Sequence, residues 1–330
     1  MIRFIALLLL LLIFAHNPVR AAELDQARRE ADVVLYTTMT VADFQIFHKA
    51  LAKKYPFLRA NHVRLGGAGQ MSRAVAEHRA GAQLADVFGL SPDSMNYLRD
   101  QGILASYYSP EAKFQRQGFV DPKGYWSGIT TDVLVTGVNT AQLSLDKAPR
   151  NYIDYLKPEY RNKMALHMGT DNPLIGMIEM LGEEKGLAYM RNLAKQNLVL
   201  HNGYTKLTQL LAAGEVPLVA FTQVTKLERM KEKGAPVDWL ATNLPFATVS
   251  SVAVAKNAPH PAAARLLVDF YLSEEGQKAI REMDKIPLRR GIDPDSKRIS
   301  ELLDKNLHVI KYEGDAGKYI RLFNEIFLGR

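Results

Sequence analysis

The residues of this chain best suited to chemistry are hydroxyl and glycine positions placed just after apolar runs. Thr37 and Thr38 close the β-rich run Val33–Thr37, Gly69 and Ser72 follow Asn61–Leu65, and Ser91 follows Ala85–Leu90. Tyr125 and Trp126 stand just upstream of Thr130, Thr131 and the apolar, β-branched run Asp132–Val138. Side chains of these types bind solutes; they do not form an activated nucleophile. Ser72, Ser91 and Thr170 each lie at or near a helix start, where free backbone N–H groups attract anions. The same residues serve as ordinary N-caps, the commoner role of Ser and Thr there. Singly, capping accounts for them; as a set at strand ends, they point to a bound ligand. The Tyr125–Asn139 stretch reads either as a strand crossing between two lobes, with a cleft beside it, or as a central strand with a buried Trp.

Catalytic patterns are missing from the sequence. Gly66–Gly69 is not followed by the Gly-Lys-Ser/Thr of a P-loop. Gly89-Leu90-Ser91-Pro92-Asp93 lacks the last glycine of a nucleophile elbow. The eight histidines are scattered without a paired spacing, so no zinc site is expected. His167 and His201 read as satisfied side chains near strand ends. Asp86 and Asp132 can meet a cationic group or be paired within the core. No catalytic set, metal or cofactor is expected, and an exported hydrolase would need a nucleophile and base that the spacing does not supply.

Composition narrows the class further. The 330 residues are 47% hydrophobic and 23% charged, enough for two domains of ordinary size. The net charge of +7 is spread along the chain without a long basic block, which argues against a nucleic-acid partner. The excess still favours anionic solutes near a cleft. Met1-Ile2-Arg3, the 12-residue apolar run Phe4–Ala15 and the small residues around Val19-Arg20-Ala21 have the layout of a cleavable secretory signal, residues 1–22. The run is short for a membrane-spanning helix. With no Cys, neither a lipid anchor nor a disulfide partner is expected. A free periplasmic protein fits best.

The elements that must hold the candidates follow an α/β pattern. Val33–Thr37, Asn61–Leu65 and Ala85–Leu90 read as strands, alternating with helices over Val41–Tyr55, Gln70–Ala80 and from Ser91-Pro92 onward. Thr40, three residues before Asp43, marks a helix start. After the crossing strand the pattern restarts. Ala165–Met168, Leu198–His201 and Pro217–Phe221 read as strands. Leu174, Met177, Ile178 and Leu181 form a helical stripe, and Lys206–Ala213 is helical. Val237–Leu240 and Ala247–Val254 read as strands, Pro261–Leu272 and Glu274–Met283 as helices, and Ser296–Leu328 as helical with a break near Gly314. Repeated strand, loop and helix imply parallel strands, with ligands beyond their carboxyl ends.

The segment Asn257–Lys278 (NAPHPAAARLLVDFYLSEEGQK), entered from Val252–Lys256, resembles a signature of bacterial extracellular solute-binding proteins of ABC importers. Ile286–Arg289, Leu210–Val219 and Gly234–Val237 also resemble family pieces in the family's order, and the resemblance runs from about Val33 to the C-terminus. The nearest subgroup is the ferric-iron-binding-like proteins of the type II periplasmic-binding-protein fold. The resemblance implies an α/β, two-lobed molecule, each lobe a mostly parallel sheet flanked by helices. Two crossing strands would join lobe I (31–136 plus 250–288) to lobe II (137–249 plus 289–330). It also implies capture of a small-molecule solute by hinge closure, delivery to an ABC permease and its ATPase, and a monomer. By position it carries binding roles to Thr37, Thr38, Gly69, Ser72, Ser91, Tyr125, Trp126, Thr131, Thr170, Asn172, Thr222 and Gln223.

One departure bears on the solute. Iron-binding members carry two adjacent tyrosines just past the strand matched by Pro217–Phe221. This chain has Thr222-Gln223-Val224-Thr225 there. Ferric ion takes hard oxygen ligands, so iron binding would need Tyr125 or Tyr204 as substitutes. The preferred expectation is an organic anion carrying phosphate, phosphonate or carboxylate. Ferric iron is the alternative within the family, and a sensory module presenting the same fold to a membrane receptor is a third reading.

Overall fold

A computed structural model describes residues 18–168, 171–310 and 316–329. The apolar run Phe4–Ala15 and the candidate Thr170 lie outside the described residues. The strands are β1 Asp32–Thr37, β2 Arg59–Arg64, β3 Val87–Leu90, β4 Ser127–Asn139, β5 Met164–His167, β6 Val199–His201, β7 Leu218–Gln223, β8 Val237–Leu240, β9 Phe246–Val254, β10 Ile286–Pro287 and β11 His308–Val309. They join in one curled sheet of order β2-β1-β3-β9-β4-β7-β5-β6. β8 and β10 add to β4, and β11 adds to β9.

Two parallel sets meet on two long strands. β1 runs parallel to β2 and β3, and β5 runs parallel to β6 and β7. Between them β4 and β9 pair antiparallel, from Ser127 opposite Val252 to Leu134 opposite Phe246. β4 is 13 residues long, about 43 Å at roughly 3.3 Å per residue, so it serves both sets. The molecule is therefore two α/β lobes joined by two crossing strands.

Alternation along the strands explains the layering. In lobe I, Val33 and Leu35 of β1 pack with Phe47, Leu267 and Phe270, while Tyr36 turns to the other face with Phe88, Met95 and Trp126. In lobe II, Leu218 and Ala220 of β7 join Leu166, Leu174 and Met190, while Val219 joins Leu207, Leu211 and Leu227. Both faces of β1 and β7 are buried, which is why these strands read as nearly continuous apolar runs.

The helices are α1 Pro18–Glu30, α2 Val41–Lys54, α3 Gly67–Arg79, α4 Pro92–Asp100, α5 Asn172–Leu181, α6 Glu183–Ala194, α7 Tyr204–Ala212, α8 Val224–Glu232, α9 Pro261–Leu272, α10 Glu274–Glu282, α11 Lys297–Leu303 and α12 Ala316–Leu328. Thr40 caps α2, its hydroxyl accepting from the Asp43 N–H at 3.1 Å. α3 begins at Gly67, three residues before the expected start, because Gly66 takes the N-cap position. The expected all-helical tail instead contains β11, which adds to β9 opposite Phe246 and Ala247. That pairing satisfies an otherwise open strand edge, a tertiary gain that helical periodicity does not register. Helix α1 packs on α9. Ala27 is buried, Glu23 pairs with Arg265, and Glu30 Oε2 accepts from the Ala263 N–H at 2.8 Å. Among the described residues no helix is long and apolar enough to cross a membrane.

Candidate functional site

A cavity of about 540 Å³ opens where the two parallel sets face each other across β4 and β9. Its floor is Thr130–Asp132 of β4 and Thr248–Ser250 of β9. Thr40 and Asp43, after β1, line it from lobe I. Asn172, after β5, Gln223, the last residue of β7, and Thr225 and Lys226 just beyond it line the cavity from lobe II. Carboxyl ends of strands from both lobes thus supply the walls, as open α/β sheets require. A larger hollow of about 660 Å³ lies on lobe II between the β4–β5 connection and Pro217. It carries none of the twelve candidate residues.

A bulge aims the lobe II wall. Val135 pairs with Thr222 while Gly137 pairs with Val219, so β7 holds one residue more than the facing stretch of β4. The extra residue is accommodated at Phe221, whose φ of 52° lies in the left-handed region. Such a conformation costs a non-glycine residue about 1–3 kcal/mol and persists only where packing fixes it. Here the Phe221 ring stacks on Tyr152 at 5.3 Å and is itself 1% exposed. Gly137 faces the bulge closely, since a Cβ there would stand 3.1 Å from Thr222 and Leu211. The kinked end of β7 runs straight into α8 and sets its first turn on the cavity.

Three helix starts reach the cavity through residues in its wall: Thr40 of α2, Asn172 of α5 and Gln223 of α8. The N-cap side chains Asp171 and Gln223 make no capping hydrogen bond. In α8 the Thr225 N–H already donates to the Asp132 carboxylate, while the positive end of the helix dipole faces the cavity. Lys226, in the first turn of α8, has no ion-pair partner among the described residues. The other cations in the wall are paired: Arg229 with Asp284, and Lys285 with Asp43 at 2.8 Å. Beside Lys226 stands Asp132. Its Oδ2 accepts from the Thr225 hydroxyl at 2.6 Å and its Oδ1 from the Val133 N–H at 2.9 Å. Burial pushes its pKa up to about 6, against the pull of the Thr225 hydroxyl, of the Val133 and Thr225 N–H groups and of Lys226. Asp171 is also raised to about 6, first by burial, with Asp93 across the cleft adding repulsion.

Of the twelve candidates, Thr131, Asn172 and Gln223 line this cavity. The Thr131 hydroxyl already donates to the Thr248 carbonyl at 2.8 Å. Thr37 is buried, and its Oγ1 accepts from the Met39 N–H. Thr38 is exposed near the same turn. Gly69 and Ser72 lie exposed within the first two turns of α3. Ser91 is the N-cap of α4, its hydroxyl 3.2 Å from Ser94. Tyr125 packs at the edge of the lobe I core, and Trp126 lies within it, donating to Asn96 at 3.2 Å. Thr222 is fully buried beneath the bulge. Of the two candidate acids, Asp86 is internal. It accepts from the N–H groups of Val34 and His260 and contacts the His260 ring. Asp132 lines the cavity. His167 accepts from the Gly203 N–H at 2.9 Å, and burial lowers its pKa.

Sequence reasoning missed Thr225, Lys226 and Arg229 because it did not register α8. Val224, Leu227 and Met230 recur at helical spacing directly after the β7 run, and that signal would have found them. Lys285 and Asp284 sit in a short connection with no pattern of its own. Among the described residues no tyrosine lines the cavity, and no three His, Asp or Glu side chains cluster as a metal set.

Comparison with known proteins places this geometry. The family model described as bacterial extracellular solute-binding protein matches residues 82–314, more than two thirds of the chain. A Salmonella typhimurium protein named putative 2-aminoethylphosphonate-binding periplasmic protein is 23% identical over 241 residues, covering 69% of each chain. Iron-bound HitA from Pseudomonas aeruginosa superposes with a TM-score of 0.76 at 22% identity, covering 89% of this chain and 99% of that one. The periplasmic binding protein AfuA from Actinobacillus pleuropneumoniae, with fructose-6-phosphate bound, gives 0.70 at 22% identity, covering 89% and 97%. These superpositions establish the type II periplasmic-binding-protein fold; they leave the solute open.

Proposed function

The chain belongs to the bacterial extracellular solute-binding proteins, and from that premise we propose that it is a periplasmic receptor that closes its two lobes over a small organic anion. The family binds small solutes and works with ABC transporters. For this chain we propose a membrane permease with its ATPase as partner, export by a cleavable leader, a monomeric state and no catalytic step. The lobes are proposed to divide at β4 and β9, as 31–136 plus 250–288 and 137–249 plus 289–330. α12 packing on α5 and α6 supports placing the tail with lobe II.

The observation that carries the solute class is the α8 start. Lys226, whose ammonium has no ion partner among the described residues, stands in the first turn of α8 at the positive end of its dipole, facing a 540 Å³ cavity. The start of α5 lies on the same wall through Asn172. A charge-assisted hydrogen bond to a phosphate, phosphonate or carboxylate would satisfy the Lys226 ammonium. Thr131, Asn172 and Gln223 are the sequence-derived candidates retained as contacts, joined by Thr225 and Lys226. For ferric iron, the tyrosine pair is absent at Thr222-Gln223 and no described tyrosine lines the cavity.

The test is a thermal-shift panel on protein unfolded and refolded to remove carried-over ligand. Phosphate esters, phosphonates, carboxylates, polyamines, thiamine and ferric citrate are compared. A ligand at a hundred times its Kd stabilises by about 2.7 kcal/mol, a shift of several degrees. A shift with an anionic class, lost in Lys226→Met, is the expected result. A shift with ferric citrate alone would replace this reading with the iron reading.

A further inference from the structure

The one Asn-Gly pair of the chain, Asn202-Gly203, is held between two histidines. β5 and β6 run parallel with His167 opposite His201, so both rings stand at the carboxyl ends of neighbouring strands. The chain then turns through Asn202 into α7. Gly203 takes the N-cap position with a φ of 92°, which a residue with a side chain rarely adopts. His167 Nε2 accepts from the Gly203 N–H at 2.9 Å. His201 Nδ1 lies 2.9 Å from the Asn202 carbonyl oxygen, which can only accept, so the ring donates. That N–H and that carbonyl belong to one peptide unit. A base thus meets its proton, and a donor meets the oxygen on which charge gathers when the proton leaves. Tyr204 packs on the His167 ring at 4.4 Å. Burial, helped by His201, lowers the His167 pKa against the pull of the His167 and Met168 backbone, so the ring is neutral at neutral pH. Asn202 is exposed, and its side-chain amide has no hydrogen-bond partner among the described residues.

We propose that Asn202 is a self-modifying site, deamidated by the Gly203 nitrogen with His167 as general base and His201 as the donor at the peptide oxygen. Gly203 N gives its proton to His167 Nε2 and attacks Cγ of Asn202. The new N–Cγ bond forms as the Cγ–Nδ2 bond breaks, and the amide nitrogen leaves as ammonia with the proton that His167 held. The product is a five-membered succinimide. Water opens it at either carbonyl, leaving aspartate or isoaspartate at position 202. Glycine suits the attack because it has no Cβ to crowd its nitrogen, and every other asparagine of the chain is followed by a larger residue. Either product puts a carboxyl group just ahead of the α7 N-cap, and isoaspartate also lengthens the backbone of the turn. Neither residue lines the cavity between the lobes, so this inference is independent of the solute reading. It makes the β6–α7 turn of lobe II an irreversible mark of the molecule's age.

Peptide mapping by mass spectrometry tests this on the purified full chain aged in neutral buffer, with isoaspartate scored by an isoaspartyl methyltransferase assay. The same chain held unfolded in guanidinium at the same pH and temperature supplies the lability of the Asn-Gly sequence alone. Deamidation at Asn202 is expected to run on the order of tenfold or more faster in the folded protein, since general-base assistance exists only there. An equal or slower rate in the folded protein overturns the proposal, because the fold then adds nothing to the sequence or protects it. His167→Gln keeps a side-chain acceptor for the Gly203 N–H but supplies no base. In that variant the folded-state rate should fall to the unfolded rate or below, and an unchanged rate overturns the role of His167. The other asparagines, read in the same maps, should stay intact over that time. Comparable loss among them would overturn the selectivity argued from the two histidines. The comparison of folded and unfolded parent chains decides the matter even where His167→Gln does not fold.

Discussion

The Thr225 hydroxyl donates to Asp132 Oδ2 at 2.6 Å, tying the first turn of α8 to the crossing strand β4. Those two residues are 93 positions apart, yet they fix the corner where lobe II meets the floor of the cavity. Thr225→Val removes the donor without changing the size of the side chain. It should cost about 1–3 kcal/mol, because a partly buried carboxylate loses a partner. In a double-mutant cycle with Asp132→Asn the two losses should not add. Additive losses in denaturant unfolding would mean the bond contributes nothing to the corner.

Lys226 has no hydrogen-bond or ion-pair partner to lose among the described residues. Lys226→Met should therefore leave the melting temperature of the ligand-free protein within about 2 °C, since surface-like substitutions stay within about 0.5 kcal/mol. Affinity for the anionic solute should drop by roughly ten- to a hundredfold. Retained affinity would move the anion site elsewhere in the cleft.

Asp132 and Asp171 are both raised to about 6 from an unfolded value near 3.8. For a raised acid the folded state holds its proton more tightly. The stability so gained is complete below about pH 4 and is lost as pH rises through 6. Other carboxylates act in the opposite sense, so the informative quantity is a difference. Between pH 4.5 and 7 the ligand-free Asp132→Asn variant should gain stability relative to the parent as pH rises. A parallel pair of melting-temperature curves would refute the assignment.

Gly176 in α5 packs flat on Phe246 of β9, and a Cβ there would come within 2.7 Å of the ring. Phe246 is fully buried and stacked on Tyr152 at 4.7 Å, so it has little room to yield. Gly176→Ala should cost about 1–3 kcal/mol as overpacking. That is a drop of several degrees for a chain of this size. An unchanged melting temperature would mean the ring shifts freely.

Asp86 anchors lobe I from within. It is fully buried and accepts from two backbone N–H groups, those of Val34 and His260, which begin to link β1 to α9. Asp86→Ala should destabilise by about 1–3 kcal/mol, because two part-buried donors are left without their acceptor. Ligand affinity measured on the folded fraction should be unchanged, which separates this acid from Asp132.

The sequence by itself determined the elements and their kind. Apolar runs such as Val33–Thr37 and Ala247–Val254, caps such as Thr40 and Ser91, and the stripe through Leu174 and Met177 are local signals, set by backbone preference and side-chain period. The repeated strand-helix order and the segment Asn257–Lys278 then fixed the family. The tertiary structure alone decided which of the strand-end residues share a space. Trp126 and Thr38 sit at equally plausible positions in the chain, but the fold packs Trp126 into the lobe I core and leaves Thr38 exposed. Lys226 reaches the cavity because a single extra residue at Phe221 kinks the end of β7. Lys285 and Asp43, 242 positions apart, pair at 2.8 Å only because α10 folds back beside α2. A site made at the meeting of two lobes is built from contacts of long sequence separation. Neither periodicity nor local propensity carries that information, because both describe neighbours along the chain.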